Sequence, residues 1–257
     1  MRPCVRRPLK IQSIEFGGPK PLFCVPLVAT DLDSLLAQGD VARGLAPDLI
    51  EWRADSYGNQ SGDALIEAAG RLRTAVREIP IIFTLRIKAE GGARLIDQGL
   101  RSSCIDAVLR SEYVDIVDLE LSNGREFLKP LIDTAHKHGV SVVLSFHDFQ
   151  KTGSHDDLLG TIRALVEAGA DIAKIACIPQ TPEDVLRMLE VTFAARKKFP
   201  NVPLCTMSMG KLGSITRTAG FLFGSDMAFA VGQEVSAPGQ IPLADARTIT
   251  EKLLSYA

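Results

Sequence analysis

The sequence has no apolar run long enough to cross a membrane as a helix, no CxxC pair, no surplus of positive charge, and no cluster of metal-ligand residues. Without a membrane-length run, the expectation is a protein that does not span a bilayer. Arg2, Arg6, Arg7 and Lys10 open the chain, but no apolar segment follows them, so a signal peptide is not expected. The five cysteines (Cys4, Cys24, Cys104, Cys177 and Cys205) are odd in number and widely spaced. A disulfide scaffold is therefore not expected, and a reducing cytoplasm is the default compartment. Cys177 and Cys205 sit in apolar runs and read as small buried hydrophobes. A formal net charge of −2 argues against nucleic acid or an anionic membrane as partner. His136 and His138 are two apart on a predicted helix and do not share a face, so no metal is expected and the chemistry reads as organic. Linkers, low-complexity stretches and short repeats are also missing, and the 257 residues read as one domain, 1–257.

What the chain does have is alternation. Short apolar runs predict strands at Phe23–Ala29, Leu49–Arg53, Ile81–Ile87, Val114–Leu119, Val140–Phe146, Ile172–Cys177, Val202–Met207 and Met227–Val231. Most are continuously apolar, as strands covered on both faces should be. Helical patterns lie between them, near Asp31–Arg43, Ala64–Arg77, Ser103–Ser111, Gly124–His138, Asp156–Ala168, Pro182–Lys198 and Lys211–Gly220, with a last one over Leu243–Ser255. Thr181-Pro182-Glu183-Asp184 gives a cap, a proline at the first helical position and acids in the first turn. Lys137-His138-Gly139 gives cations in a last turn and a glycine beyond it. Eight strand–helix units favour a (β/α)8 TIM barrel over an open doubly wound sheet. Ile11–Gly18 is expected to form an extra hairpin that caps the barrel bottom.

In such barrels the chemistry gathers at the C-terminal ends of the strands. The polar residues at those ends are Glu51 and Arg53, Arg86 followed by Glu90, Glu120, His147 with Asp148, Lys174, Ser208, and Ser236 to Gln240. Lys174 is the most informative. A charged lysine is expensive to bury in an apolar strand, and burial favours the neutral amine that attacks carbonyls. The competing reading is a lysine paired with an acid or reaching out to the strand end, and the strand alone leaves both open. His147 alone among four histidines ends an apolar strand; it reads either as a proton-transfer group or as a core histidine bonded to backbone. The loop Ser208–Ser214 carries glycines where barrels often bind phosphate, or it is a plain turn into a helix.

At these positions the sequence resembles the type I 3-dehydroquinate dehydratases of the shikimate pathway. The segments that carry the resemblance are Asp48-Leu-Ile-Glu-Trp-Arg-Ala-Asp55, Phe83-Thr-Leu-Arg86 with Glu90-Gly-Gly92, and Ser145-Phe-His-Asp-Phe149. They continue in Ala170-Asp-Ile-Ala-Lys-Ile-Ala176, Met207-Ser-Met-Gly210 with Arg217, and Ser236-Ala-Pro-Gly-Gln-Ile241. They run in order across most of the chain. The resemblance implies loss of water from 3-dehydroquinate without a cofactor. It implies Lys174 as the imine-forming lysine, His147 as general acid/base and Glu90 as the acid that orients it. Arg217 would hold the substrate carboxylate, and Glu51, Arg53, Arg86, Ser236 and Gln240 would contact substrate. Ser236–Gln240 is expected to form a lid, and the expected assembly is a homodimer. Thr216 stands where serine is expected, and Val235 where a small residue is. Two other readings remain: a Schiff-base aldolase on the same barrel plan, and a non-catalytic sensor of the same ligand. The presence of all three of Lys174, His147 and Glu90 argues against the sensor.

Overall fold

The computed structural model describes residues 2–232 and 237–256. It opens with an antiparallel hairpin, β1 (Leu9–Ile11) and β2 (Ile14–Phe16). Eight further strands follow: β3 (Leu22–Leu27), β4 (Leu49–Arg53), β5 (Ile81–Thr84), β6 (Ile116–Glu120), β7 (Ser141–Asp148), β8 (Ile172–Cys177), β9 (Leu204–Ser208) and β10 (Met227–Phe229). They form one parallel sheet in the order β10-β3-β4-β5-β6-β7-β8-β9. Helices alternate with them: α1 (Leu32–Leu45), α2 (Gly62–Val76), α3 (Gln98–Arg110), α4 (Arg125–Lys137), α5 (His155–Glu167), α6 (Pro182–Lys198), α7 (Ile215–Ala219) and α8 (Leu243–Ser255). This is the expected (β/α)8 barrel.

The barrel nearly closes on itself. At the seam between β9 and β10, the Asp226 N–H donates to the Leu204 carbonyl at 2.6 Å. Side chains complete the join: the Leu204 N–H donates to Asp226 Oδ2 at 2.8 Å and the Thr206 N–H to Ser225 Oγ at 3.1 Å. Asp226 is fully buried and is ion-paired with both Arg2 and Arg196. The basic start of the chain therefore anchors at this seam through Arg2.

Side chains alternate across each strand, and the alternation produces two cores. Val25, Ile50, Trp52, Phe83, Val117, Leu119, Val142, Leu144, Ala173 and Ile175 pack outward against the helices. Leu22, Cys24, Leu49, Ile82, Ile116, Val143, Ile172 and Met227 point inward and pack with Ile11 and Phe16 of the hairpin. The hairpin therefore plugs the end where the strands begin, as expected.

Local signals hold where they were read. The Thr181 and Gln180 N–H groups both donate to Asp184, and Pro182 starts α6. Gly139 follows α4 at φ 71°, where an L side chain would be strained. Two helices differ from expectation. α3 starts five residues early, at Gln98, because the Asp97 side chain caps the Leu100 N–H at 3.0 Å. α7 is shorter, because Lys211 to Ser214 are taken up by a turn against Ser208.

Candidate active site

Stepping two residues along each strand from the inward apolar set changes the chemistry of the barrel interior. Leu49, Ile82, Ile116, Val143 and Ile172 give way to Glu51, Thr84, Asp118, Ser145 and Lys174, all buried. A further step reaches Arg53, Arg86, Glu120, His147 and Ala176 at the C-terminal rim. The pocket above this polar level is lined by Glu51, Arg53, Arg86, Glu90, His147, Lys174, Arg217 and Gln240, with Phe149, Met207, Met209 and Phe229 as apolar walls. Eight of the nine expected site residues thus meet in one cavity. The ninth, Ser236, lies outside the described residues.

Lys174 is 4% exposed, which excludes a lysine reaching out to solvent. Its Nζ donates to Asp118 Oδ2 at 2.8 Å, stands 3.8 Å from Glu51 Oε1, and lies 4.5 Å from the centre of the Phe229 ring. The acids beside Lys174 are Asp118 and Glu51, whereas Glu90 stands against His147, the residue it was expected to partner. Strand register separates the two levels: Ser145 is level with Lys174, so His147 and its partner sit one step higher.

Glu90 fixes His147 at two points. Its Oε2 accepts from the His147 N–H at 2.9 Å and faces Nδ1 at 3.0 Å. Its Oε1 accepts from Ser122 Oγ. With Nδ1 held by the carboxylate, Nε2 is the nitrogen left for proton exchange. Burial, then the cations Arg86 and Lys174, push the His147 pKa well below 6.5, so the imidazole rests neutral. Burial likewise raises the Glu90 carboxyl above its ordinary value, against the opposing pull of Ser122 and Arg86.

The arginines differ in their partners. Arg86 is buried between Asp118 (2.8 Å) and Glu120 (3.0 Å), and its Nη1 also donates to Ser145 Oγ at 2.7 Å. Arg101 of α3 takes the other oxygen of Glu120 at 2.7 Å. Arg53 makes a two-point pair with Asp55 at 2.9 Å each and donates to the Gly91 carbonyl at 3.1 Å, bracing the turn that carries Glu90. Arg217 has no carboxylate partner among the described residues. It donates to the carbonyls of Phe229 (3.3 Å) and Pro238 (3.1 Å) and to Met207 Sδ (3.4 Å). Burial lowers its pKa to about 10. A buried guanidinium without an acid is suited to receive an anion.

Asp118 and Ser145 belong to this network and were not read from the sequence as site residues. The signal for Asp118 was available: a carboxylate inside an apolar strand, two residues from Glu120 and therefore on the same inward face. Among the described residues no group of three or more His, Cys, Asp or Glu is placed to hold a metal ion, and no helix is long and apolar enough to cross a membrane.

The family model described as Type I 3-dehydroquinase matches residues 23–255. The 3-dehydroquinate dehydratase of Aromatoleum aromaticum is 43% identical over 239 residues, covering 92% of each chain. The crystal structure of 3-dehydroquinate dehydratase from Geobacillus kaustophilus superposes with a TM-score of 0.97 at 39% identity over 100% of both chains. That of the type I enzyme from Clostridium difficile, with covalently modified comenic acid, gives 0.94 at 32% identity over 98% of this chain and 99% of that one. With this likeness running through both sequence and fold, the chain belongs to the Type I 3-dehydroquinase family.

Proposed function

We propose that the protein is a hydro-lyase that removes water from 3-dehydroquinate to give 3-dehydroshikimate through an imine on Lys174. One observation carries the reading: a buried lysine, a carboxylate-oriented neutral histidine and a guanidinium with no acid partner among the described residues line one cavity.

Arg217 receives the substrate carboxylate and sets the ring so that the C3 ketone faces Lys174. Lys174 passes one ammonium proton to His147 and its amine attacks C3. The C–N bond forms, the carbonyl oxygen takes that proton and a second one from the nitrogen and leaves as water, and the nitrogen keeps its last hydrogen with the positive charge. The resulting protonated imine draws electrons from C2 far more strongly than the ketone does. His147 Nε2 takes the C2 proton, and the freed pair moves through C3 onto nitrogen. The pair then returns, C1–C2 becomes a double bond, and His147 gives its proton to the departing C1 hydroxyl. One imidazole serves both transfers because it begins neutral, and Glu90 stabilises the imidazolium between them. Hydrolysis of the imine frees Lys174. Glu51, Arg53, Arg86, Ser236 and Gln240 contact the ring hydroxyls and carboxylate in this reading. It also places the protein in the cytoplasm as a homodimer, which light scattering on the pure protein checks.

The test is direct. Enone absorbance should appear when pure protein meets 3-dehydroquinate. Borohydride added to that mixture should inactivate the protein and leave one adduct, on Lys174. An adduct on another lysine, or full activity in Lys174→Ala, overturns the assignment. Carbon–carbon cleavage of sugar phosphates in place of dehydration would instead support the aldolase.

A further inference from the structure

We propose that Asp118 is the counter-ion of the imine on Lys174, a carboxylate that stays ionised through the cycle and holds the imine nitrogen in its protonated form. The proposal rests on the imine reading above and deepens it.

Four carboxylates surround the polar level of the barrel, and three of them are committed elsewhere. Glu90 serves His147 and Ser122. Glu120 accepts from Arg86, Arg101, Asn123 and the Ile87 N–H. Glu51 accepts from Thr84 Oγ1 at 2.8 Å and stands too far from Nζ, at 3.8 Å, for a hydrogen bond. Asp118 alone among them touches Nζ, at 2.8 Å. Its other oxygen accepts from Ser145 Oγ, and Arg86 Nη2 shares the lysine's oxygen at 2.8 Å. Three donors on two buried oxygens leave the carboxylate little freedom to turn.

The groups that act on Asp118 are Arg86 beyond β5, His147 from β7, Lys174 from β8 and Cys205 from β9, while Glu51 from β4 and Glu120 on β6 face the same two cations, Lys174 and Arg86. Burial by itself would raise the Asp118 carboxyl, but Arg86 and Lys174 override it and hold it well below the usual carboxylate range. Asp118 is therefore ionised before substrate binds, and in this proposal the proton transfers fall to His147. When Nζ bonds to C3, the nitrogen remains on β8 within reach of Oδ2, and its one remaining hydrogen has that oxygen as acceptor. A fixed anion at this distance favours the cationic imine, the form that accepts electrons from C2. When the pair moves onto nitrogen and its charge is lost, Arg86 still neutralises Asp118. The same site therefore tolerates both charge states without rearranging.

The isosteric Asp118→Asn variant tests this. Its kcat should fall about 10²-fold, the scale of losing one preorganised electrostatic partner. Its kcat should recover toward acidic pH, where solvent protonates the imine in place of the carboxylate field. Borohydride with 3-dehydroquinate should still mark Lys174 in the variant at acidic pH, and Asp118→Glu should regain part of the rate. A kcat within a few-fold of wild type overturns the proposal. So does a loss whose pH profile parallels wild type with no recovery in Asp118→Glu, because that pattern marks a brace for Arg86 only. If the asparagine variant does not fold, wild type decides. Its conjugated imine with 3-dehydroshikimate should keep the absorbance of the protonated form up to the alkaline limit of stability. Loss of that absorbance in the neutral range overturns the proposal. Failure of wild type to form any Lys174 adduct would instead overturn the imine reading beneath it.

Discussion

Replacing Arg217 with methionine is expected to raise KM about 10²-fold or more while leaving the stability of the empty protein almost unchanged. Arg217 is only 3% exposed, so a structural arginine would be costly to remove. Its charge, however, is poorly compensated. The fall of its pKa from 12.5 to about 10 corresponds to about 3 kcal/mol spent keeping the charge out of water. The substitution relieves that penalty and loses three hydrogen bonds, at about 1 kcal/mol each. The two effects cancel to within about 1 kcal/mol, and Tm should move by no more than about 2–4 °C. A substrate carboxylate that accepts two charge-assisted bonds gains about 3 kcal/mol or more, which is about 10²-fold in binding. Steady-state kinetics and thermal unfolding on the same preparation measure both quantities. An unchanged KM, or activity and stability falling together, would refute the reasoning.

Because burial, Arg86 and Lys174 depress the His147 pKa, the acid limb of kcat/KM should lie below pH 6.5, and a limb at or above it contradicts the assignment. The linkage has the same sign: below 6.5 the unfolded chain binds the extra proton, so stability is present above 6.5 and is lost as pH falls toward the folded value. His147→Ala should lose about 10²–10⁴-fold in turnover while still forming the trapped imine, and near-normal turnover would remove His147 from the mechanism. At the opposite end of the barrel, Phe16→Ala should cost about 3–5 kcal/mol and leave kcat of the folded fraction intact. A loss below about 1 kcal/mol would mean that the hairpin does not seal the core.

Much of the barrel was legible because its strands are buried on both faces and read as apolar runs with little ambiguity. β4 and β8 match their expected limits, as do α6 and α8. Ends were harder to read. β5 stops at Thr84 rather than Ile87, since Arg86 turns inward to Asp118 and Glu120 and the Ile87 N–H goes to a Glu120 side chain rather than to a strand. In the site, residues at strand ends were found because polar side chains interrupt a pattern there. Asp118 lies inside β6 rather than at its end, and only the two-residue strand period shows 118 and 120 to be neighbours on the inner wall. Ser145 was quoted within a matching segment, but a lone serine in a strand carries no signal of its own. Its meaning comes from Arg86 and Asp118, which lie 59 and 27 residues away in the chain.

The seam at Asp226 divides the barrel mechanically. From β3 through β9 the wall is an unbroken ladder, and it carries Glu51, Asp118, His147 and Lys174. Arg217 arises after β9 and the 237–240 segment after β10, on either side of the one join that depends on side chains. They also lean on each other, through Pro238 to Arg217 and to the Gly210 N–H. In the proposed mechanism the groups that work at the reacting atoms therefore stand on the continuous ladder, and those that hold the carboxylate stand beside the seam. On that reading, admitting a substrate loads the seam side of the barrel while the lysine, its carboxylate and the histidine keep their mutual alignment.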